Sequence, residues 1–398
     1  MGKTALDGIV VLDLTRVLAG PYCSMYLADY GATVITIERP GKGDDTRGYP
    51  PFQNGESLYY ANLNRNKQGV TLNLKTETGK KIFLEMVKKA DVVLENYRTG
   101  VMERLGLGYD ALARVNDKII YGAVSGFGSY GPDSNKPGYD IVAQAEGGIM
   151  SITGERGGGP VRVGCAIGDV LGGMNLIIGV LTALVARQIT GKGQRVDISL
   201  EDSVVASLEN TGVRYFSTGE LPERMGNRYP AAYPYDSFSG TDGDFVIGCA
   251  NDKLFAAMCE KVLFMPELLE DPRFAVNAQR CIHYEELQPY IARWASGHKA
   301  REAVDLLLTA GIPAALIANI RQITSNPHIC EAREMFIPME HPVIGSMKVN
   351  GTPVKLLSTP AKIDRPAPLL GEHNEQVYAE FLGLTSEELR RLRADNVI

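Results

Sequence analysis

The chain has 398 residues, 44% hydrophobic and 22% charged, enough to bury a large core and to make more than one domain. Its 41 Lys plus Arg against 47 Asp plus Glu give a net charge of -6, which excludes the global basic excess that duplex nucleic acid or an anionic membrane requires. The six cysteines form no Cys-x-x-Cys pair, and the N-terminus lacks a signal-type apolar core. A disulfide framework, a zinc site, secretion and a membrane span are therefore not expected, and a reducing cytoplasm is.

Through the first 125 residues short β-branched runs alternate with helical ones, the pattern of βαβ units and so of a parallel sheet. Residues 8–14 read as a buried strand, 21–30 as a helix after a Gly-Pro start, and 33–38 as a second strand. Residues 76–90 are amphipathic, with Ile82, Phe83, Met86 and Val87 on one stripe, and 91–95 and 118–124 supply further strands. Right-handed crossovers then give a doubly wound, Rossmann-like layer whose ligands gather at the carboxyl ends of the strands. Between 126 and 168 the texture turns to Gly, Pro and Ser, including a glycine-rich loop at 154–160. Asp169 opens an apolar helix that runs through Val185. A strand follows at 196–200, and helical patterning resumes to about residue 219. The irregular, Pro- and Tyr-rich stretch 220–243 leads into a second unit, roughly 225–325. Strands are expected there at 244–249 and 313–317, with helices near 253–263, 284–296 and 299–310. More strands and a helical tail, 373–382 and 386–393, close the chain.

The phosphate-loop, nucleophile-elbow, zinc-helix and dinucleotide-turn motifs are all absent, and every histidine lies beyond residue 280. Chemistry would then fall on a carboxylate. Asp169 is the candidate, because an apolar run delivers it to a helix start where unpaired N–H groups favour the ionised form by ~0.5–1 kcal/mol. Gly168, Gly172 and Gly173 would let an acyl group approach. The alternative is an Asp that simply caps its helix, with the glycines serving packing. Basic and amide side chains fall at expected strand or loop ends: Arg39, Arg47, the run Asn64-Arg65-Asn66-Lys67, Lys75, Asn96 to Arg98 and Arg104. Arg suits phosphate, so a nucleotide-like polyanion fits them, as does a solvated charged rim.

Together, LDGIVVLDLTRVLAGPYCSMYLADYGATVITIERPGKGDDTRG, NRNKQGVTLNLKTETGK, ADVVLENYRTGVMERLGLGYDAL, GYDIVAQAEGG, GDVLGGM and TGKGQRVDISLEDS resemble the class III CoA-transferases of the formyl-CoA and carnitine-CoA transferase type. The likeness runs over about the first 215 residues and resumes with GIPAALI and APLLGEHNEQV. It implies an α/β fold: a large Rossmann-like CoA-binding domain built from both chain ends, 1–222 and 330–398, with a smaller α+β domain, 223–329, inserted. It also implies an interlocked homodimer. By the same resemblance Asp169 is the catalytic aspartate, and Leu18, Ala19, Arg39, Leu72, Asn73, Lys75, Asn96, Tyr97, Arg98, Arg104 and Tyr139 fall on CoA-binding motifs. Arg39 and Arg104 would neutralise phosphates.

The implied reaction moves CoA from an acyl-CoA to a free carboxylic acid through a mixed anhydride and a CoA thioester on Asp169. It needs no metal and no permanently bound cofactor; coenzyme A enters as substrate. The related α-methylacyl-CoA racemases carry a histidine where this chain has Tyr139, and a Tyr with pKa near ~10 is a poor proton shuttle. The repeated-glycine loop of some formyl-CoA transferases is missing between Gly219 and Cys249. A racemase-like isomerase and a non-catalytic acyl-CoA binder are the alternatives. The acids are not identified, although Arg47, Arg224 and Arg228 would suit a second carboxylate and lean the reading toward a dicarboxylate such as succinate.

Overall fold

A computed structural model describes residues 4–398. In its first part β1 (Val10–Asp13), α1 (Ala19–Asp29), β2 (Thr33–Glu38), β3 (Gln68–Thr71), α2 (Glu77–Val87), β4 (Val92–Glu95), β5 (Ile120–Ser125), α3 (Asp140–Glu146), α4 (Ile167–Thr190) and β6 (Arg195–Ser199) follow one another. The six strands form one sheet in the order β3-β2-β1-β4-β5-β6, with every neighbouring pair parallel. The chain enters at β1, steps outward to β2 and β3, then crosses back to β4. The reversal puts a topological switch point between β1 and β4, where the loops leaving the two strands diverge and open a crevice.

Both faces of this sheet are covered, so its strands read as apolar runs rather than alternating ones. Leu12, Ile35, Val93 and Tyr121 pack with Phe83 and Met86 of α2 on one face, while Val11, Val34, Val92 and Leu94 pack with Leu176 and Val180 of α4 on the other. Thr76 starts α2 by accepting the Gly79 amide at 3.0 Å, which leaves the apolar stripe facing the sheet.

The rest of the chain contains β7 (Tyr235–Ser239), β8 (Asp244–Gly248), α5 (Tyr284–Ala295), α6 (Ala300–Thr309), β9 (Ala314–Leu316), the hairpin β10 (Phe336–His341) and β11 (Gly345–Asn350), and the tail α7 (Asn374–Leu382) and α8 (Ser386–Ala394). Chain segments cluster into two compact units. One comprises the chain up to Ile149, Arg162–Arg214 and Asn326–Ile398; the other comprises Met150–Val161 and Tyr215–Ser325. The tail joins the first sheet through Asn374, which accepts the Thr71 amide at 2.8 Å, and the Tyr378 hydroxyl, which donates to the Thr71 carbonyl at 2.7 Å. The second unit holds a three-stranded sheet, β9-β8-β7, antiparallel throughout, whose core gathers Phe245, Ile247, Phe255, Phe274, Ile291 and Leu307.

Three elements go beyond the sequence expectation. β3 is four residues long, too short for its period to register, while α3 and β7 hide in stretches punctuated by Gly, Pro and Tyr. The glycine-rich segment 154–160 clusters with the second unit, where the Arg224 guanidinium donates to the Gly158 carbonyl at 2.9 Å.

Candidate active site

At the switch point Arg16, Leu18, Ala19, Tyr97, Arg98, Tyr139 and Asp169 line one cleft. Loop 14–18 arrives from β1, residues 96–99 from β4, Tyr139 from the start of α3 and Asp169 from the first turn of α4. Seven residues singled out from the sequence converge here: Leu18, Ala19, Asn96, Tyr97, Arg98, Tyr139 and Asp169. Arg39, Leu72, Asn73, Lys75 and Arg104 do not line this cleft. Arg39 and Lys75 are exposed beyond the carboxyl ends of β2 and β3, and Arg104 is exposed after β4. Leu72 is 3% exposed and belongs to the core. The Asn73 amide donates to the Val397 carbonyl, and its side chain donates to the Asn396 carbonyl.

Asp169 is the third residue of α4, not its cap. Ala166 holds the cap position without a side-chain bond, and the orphan amides are met from outside. Asp140 Oδ1 accepts the Gly168 amide at 2.8 Å and the Asp169 amide at 3.4 Å. The expectation that the helix start keeps Asp169 readily ionised is corrected here. Burial first, then the charge of Asp140, raise its carboxyl to about 7. The side chain remains half-buried, open to the cleft.

For Gly172 and Gly173 the alternative, helix packing, is the one that holds. A Cβ at Gly172 would meet Leu200 Cδ2 at 2.5 Å, and one at Gly173 would meet the Ala19 carbonyl oxygen at 2.6 Å. They let α4 lie tightly against Leu200, just after β6, and against α1, so their use is helix packing.

Several basic residues proposed for ligands are committed elsewhere. In the run at 64–67 all four side chains are buried: Arg65 pairs with Asp29 at 2.7 Å, and Lys67 pairs with Asp13 at 3.1 Å. Arg47 grips Glu38 with two 2.7 Å bonds and donates to the Tyr60 hydroxyl and the Pro368 carbonyl, so it is not free for a second carboxylate. Arg224 holds the backbone at Gly158 and Ser151, while Arg228 stacks on Tyr284 at 3.8 Å. Asn96 spends its carboxamide on the backbone of Arg16, accepting its amide at 2.8 Å and donating to its carbonyl at 2.6 Å.

Sequence reasoning missed Arg16, which pairs with Asp45 at 3.3 Å and lies over the Tyr97 ring, and Asp140. Asp140 was legible only as the neighbour of Tyr139; the external cap depends on α3 reaching α4 in space. Beside the cleft, Leu18, Tyr22, Tyr59, Ala166, Val170 and Phe336 contribute to an apolar chamber of about 610 Å³. Burial and then the Asp169 charge push the Tyr59 phenol up to about 12.

A model of CoA-transferase family III matches residues 6–374. The chain is 42% identical to acetyl-CoA:oxalate CoA-transferase of Acetobacter aceti, over 95% of this chain and 96% of that one. It is 38% identical to succinyl-CoA–D-citramalate CoA-transferase of Chloroflexus aurantiacus, over 99% and 98%. Its fold is similar to that of a CAIB/BAIF family protein from Brucella suis, with TM-score 0.84 and 35% identity, covering 96% of this chain and 100% of that one.

Proposed function

The chain belongs to CoA-transferase family III, and from that membership we propose that it moves CoA from an acyl-CoA thioester to a free carboxylate by way of Asp169. The observation that carries this reading is the position of Asp169: a carboxylate in the first turn of α4, facing a cleft it shares with Leu18, Ala19 and Arg98.

An Asp169 oxygen attacks the thioester carbonyl, breaking the C–S bond and releasing CoA thiolate, and leaves a mixed anhydride. The thiolate then attacks the aspartyl carbonyl; the donor acid departs as its carboxylate and Asp169 carries CoA as a thioester. The acceptor carboxylate attacks that thioester, forming a second anhydride and thiolate. The thiolate takes the acceptor's acyl carbon and returns Asp169 to a carboxylate. Each leaving group is a stable anion, so no general acid is needed. The exposed Arg39, Arg98, Arg104 and Lys75 supply cations for the CoA phosphates, and the Leu18–Ala19 backbone faces the thioester. The apolar chamber flanked by Ala166 and Val170 suits the carbon chain of the acyl group. Tyr139 in place of a histidine favours transfer over racemisation. The names of the relatives, which act on oxalate and D-citramalate, support a small dicarboxylate as one substrate.

A homodimer belongs to the same proposal. On α4, Met174, Ile178, Leu181, Val185 and Ile189 are 37–84% exposed and recur on one stripe, while the opposite face packs on the sheet. The helix is long and apolar enough to cross a membrane by length and composition, with mean hydropathy 1.9. Its packing against β5 and β6 favours a second copy as the cover.

The test is chemical trapping. Acyl-CoA plus hydroxylamine should convert Asp169 to its hydroxamate, visible by peptide mass spectrometry, and Asp169→Ala should abolish turnover. Labelling confined to other residues, or full turnover by Asp169→Ala, would overturn the reading.

A further inference from the structure

We propose that Asp44 is a positioning residue for the transfer reaction, because its carboxylate holds Val17 in a left-handed backbone conformation and so fixes the turn that faces Asp169. Val17 has φ +68°, a region that a β-branched residue rarely adopts. Such a conformation persists only where its surroundings over-determine it, and here they do so one amide at a time. The Thr15 amide donates to Asp13 Oδ1 at 3.0 Å, the Arg16 amide to Asn96 Oδ1 at 2.8 Å, and the Val17 amide to Asp44 Oδ2 at 3.2 Å. Three consecutive amides are thus taken by side chains from three different places in the chain. The next residue, Leu18, is the N-cap of α1 and makes no side-chain cap bond, so the turn hands the cleft the open start of that helix.

Asp44 is itself held. It is 4% exposed, its amide donates to Glu38 Oε2 at 2.8 Å, and its Oδ1 accepts the Thr46 amide and hydroxyl, both at 2.8 Å. Glu38 in turn is clamped by Arg47. A rigid chain of polar contacts therefore runs from Arg47 through Glu38 and Asp44 to Val17. Of its members, only Val17 lines the cleft. Arg47, set aside above as a substrate ligand, anchors this chain. Asp44 does not line the cleft; it acts through the backbone.

The inference rests on the proposed transfer at Asp169, and the experiment separates the two. Asp44→Ala, Asp44→Asn and the double variant Asp44→Ala/Val17→Gly are compared with the parent for kcat, KM for acyl-CoA, melting temperature, and amide hydrogen exchange of the peptide spanning residues 14–20. Glycine adopts φ near +68° without strain, so it removes the need for the clamp. Asp44→Ala should lower kcat about 10- to 100-fold, the scale of a misplaced reacting group, with a much smaller change in KM. It should also speed exchange in that peptide. The double variant should recover most of the kcat, and Asp44→Asn, which keeps one acceptor oxygen, should fall in between. Should Asp44→Ala fold poorly, the Asn variant carries the same comparison. Unchanged kcat and exchange in folded Asp44 variants would overturn the inference, as would a double variant that melts like the parent yet regains nothing. None of these results bears on transfer itself, which is tested separately by trapping at Asp169 and by the turnover of Asp169→Ala.

Discussion

Asp140 Oδ1 sits 2.8 Å from the Gly168 amide and 3.4 Å from that of Asp169, so one carboxylate caps the helix on which another is presented. The arrangement pulls in two directions. Asp140 fixes the backbone that aims Asp169, and its charge makes Asp169 harder to ionise. Gln144 Nε2 donates to the second oxygen of Asp140 at 2.7 Å, and Gln144 Oε1 accepts the Val163 amide at 2.9 Å, which ties the cap to the segment entering α4.

The first consequence is a pH profile. Asp169 must be ionised to attack, and its carboxyl lies at about 7, so kcat/KM should fall by about tenfold per unit below that point and level off above it. Asp140→Asn keeps an acceptor oxygen for Gly168 and removes the like charge. Its acid limb should move down but stay above the ordinary carboxylate range, since burial is the larger cause of the elevation. A limb at the ordinary carboxylate position in the parent enzyme would refute the assignment.

Stability should depend on the same group with the opposite sense. A carboxyl whose pKa is raised on folding binds its proton more tightly in the native state. Its cost is absent below the unfolded value near ~4, grows as pH rises, and is complete above about 7. Asp169→Asn should therefore raise the melting temperature by a few degrees at pH 8 and leave it nearly unchanged at pH 4. Thermal melts at the two pH values decide this; equal shifts at both would show that the carboxyl is not perturbed by folding.

The parallel sheet was legible because buried parallel strands leave long apolar runs, and residues 33–38 coincide with β2. Helix α2 was legible through its stripe and its Thr76 start. Within the site, Asp169, Tyr97, Arg98 and Tyr139, singled out on the motifs of the resemblance, share one cleft. What failed was the assignment of charge. Sequence cannot tell whether a cation at a strand end faces solvent or another side chain, and Arg65 and Lys67 turn inward onto Asp29 and Asp13. Nor does any local signal distinguish Val17 from an ordinary strand-end valine, since its conformation is set by Asp44, 27 residues away.

That burial makes a separable prediction for Lys67. Its ammonium and the Asp13 carboxylate are both 0% exposed, and Asn64 Oδ1 accepts from it at 2.8 Å. Removing one partner strands a buried charge, so Lys67→Met should cost about 3–5 kcal/mol of stability. A phosphate-binding lysine would instead leave the melting curve alone and weaken CoA binding. Denaturant unfolding alongside CoA titration of the folded fraction tells the two apart.

The last prediction concerns how closely α1 and α4 approach, since that approach brings the Leu18–Ala19 backbone to Asp169. A Cβ at Gly173 would lie 2.6 Å from the Ala19 carbonyl oxygen and 3.0 Å from the Tyr22 ring. The nearer obstacle is backbone, which cannot swing aside, so Gly173→Ala must push the two helices apart at the cleft. At Gly179, six residues further along α4, a Cβ would meet the Val196 side chain at 2.4 Å, beside the sheet and away from α1. Both substitutions overpack and should each cost about 1–3 kcal/mol, a loss that unfolding curves would register. Only Gly173→Ala moves the residues facing Asp169, so only it should cut kcat well beyond what the lost stability explains. Equal kcat for the two folded variants would show that the α1–α4 contact does not set the geometry of the cleft.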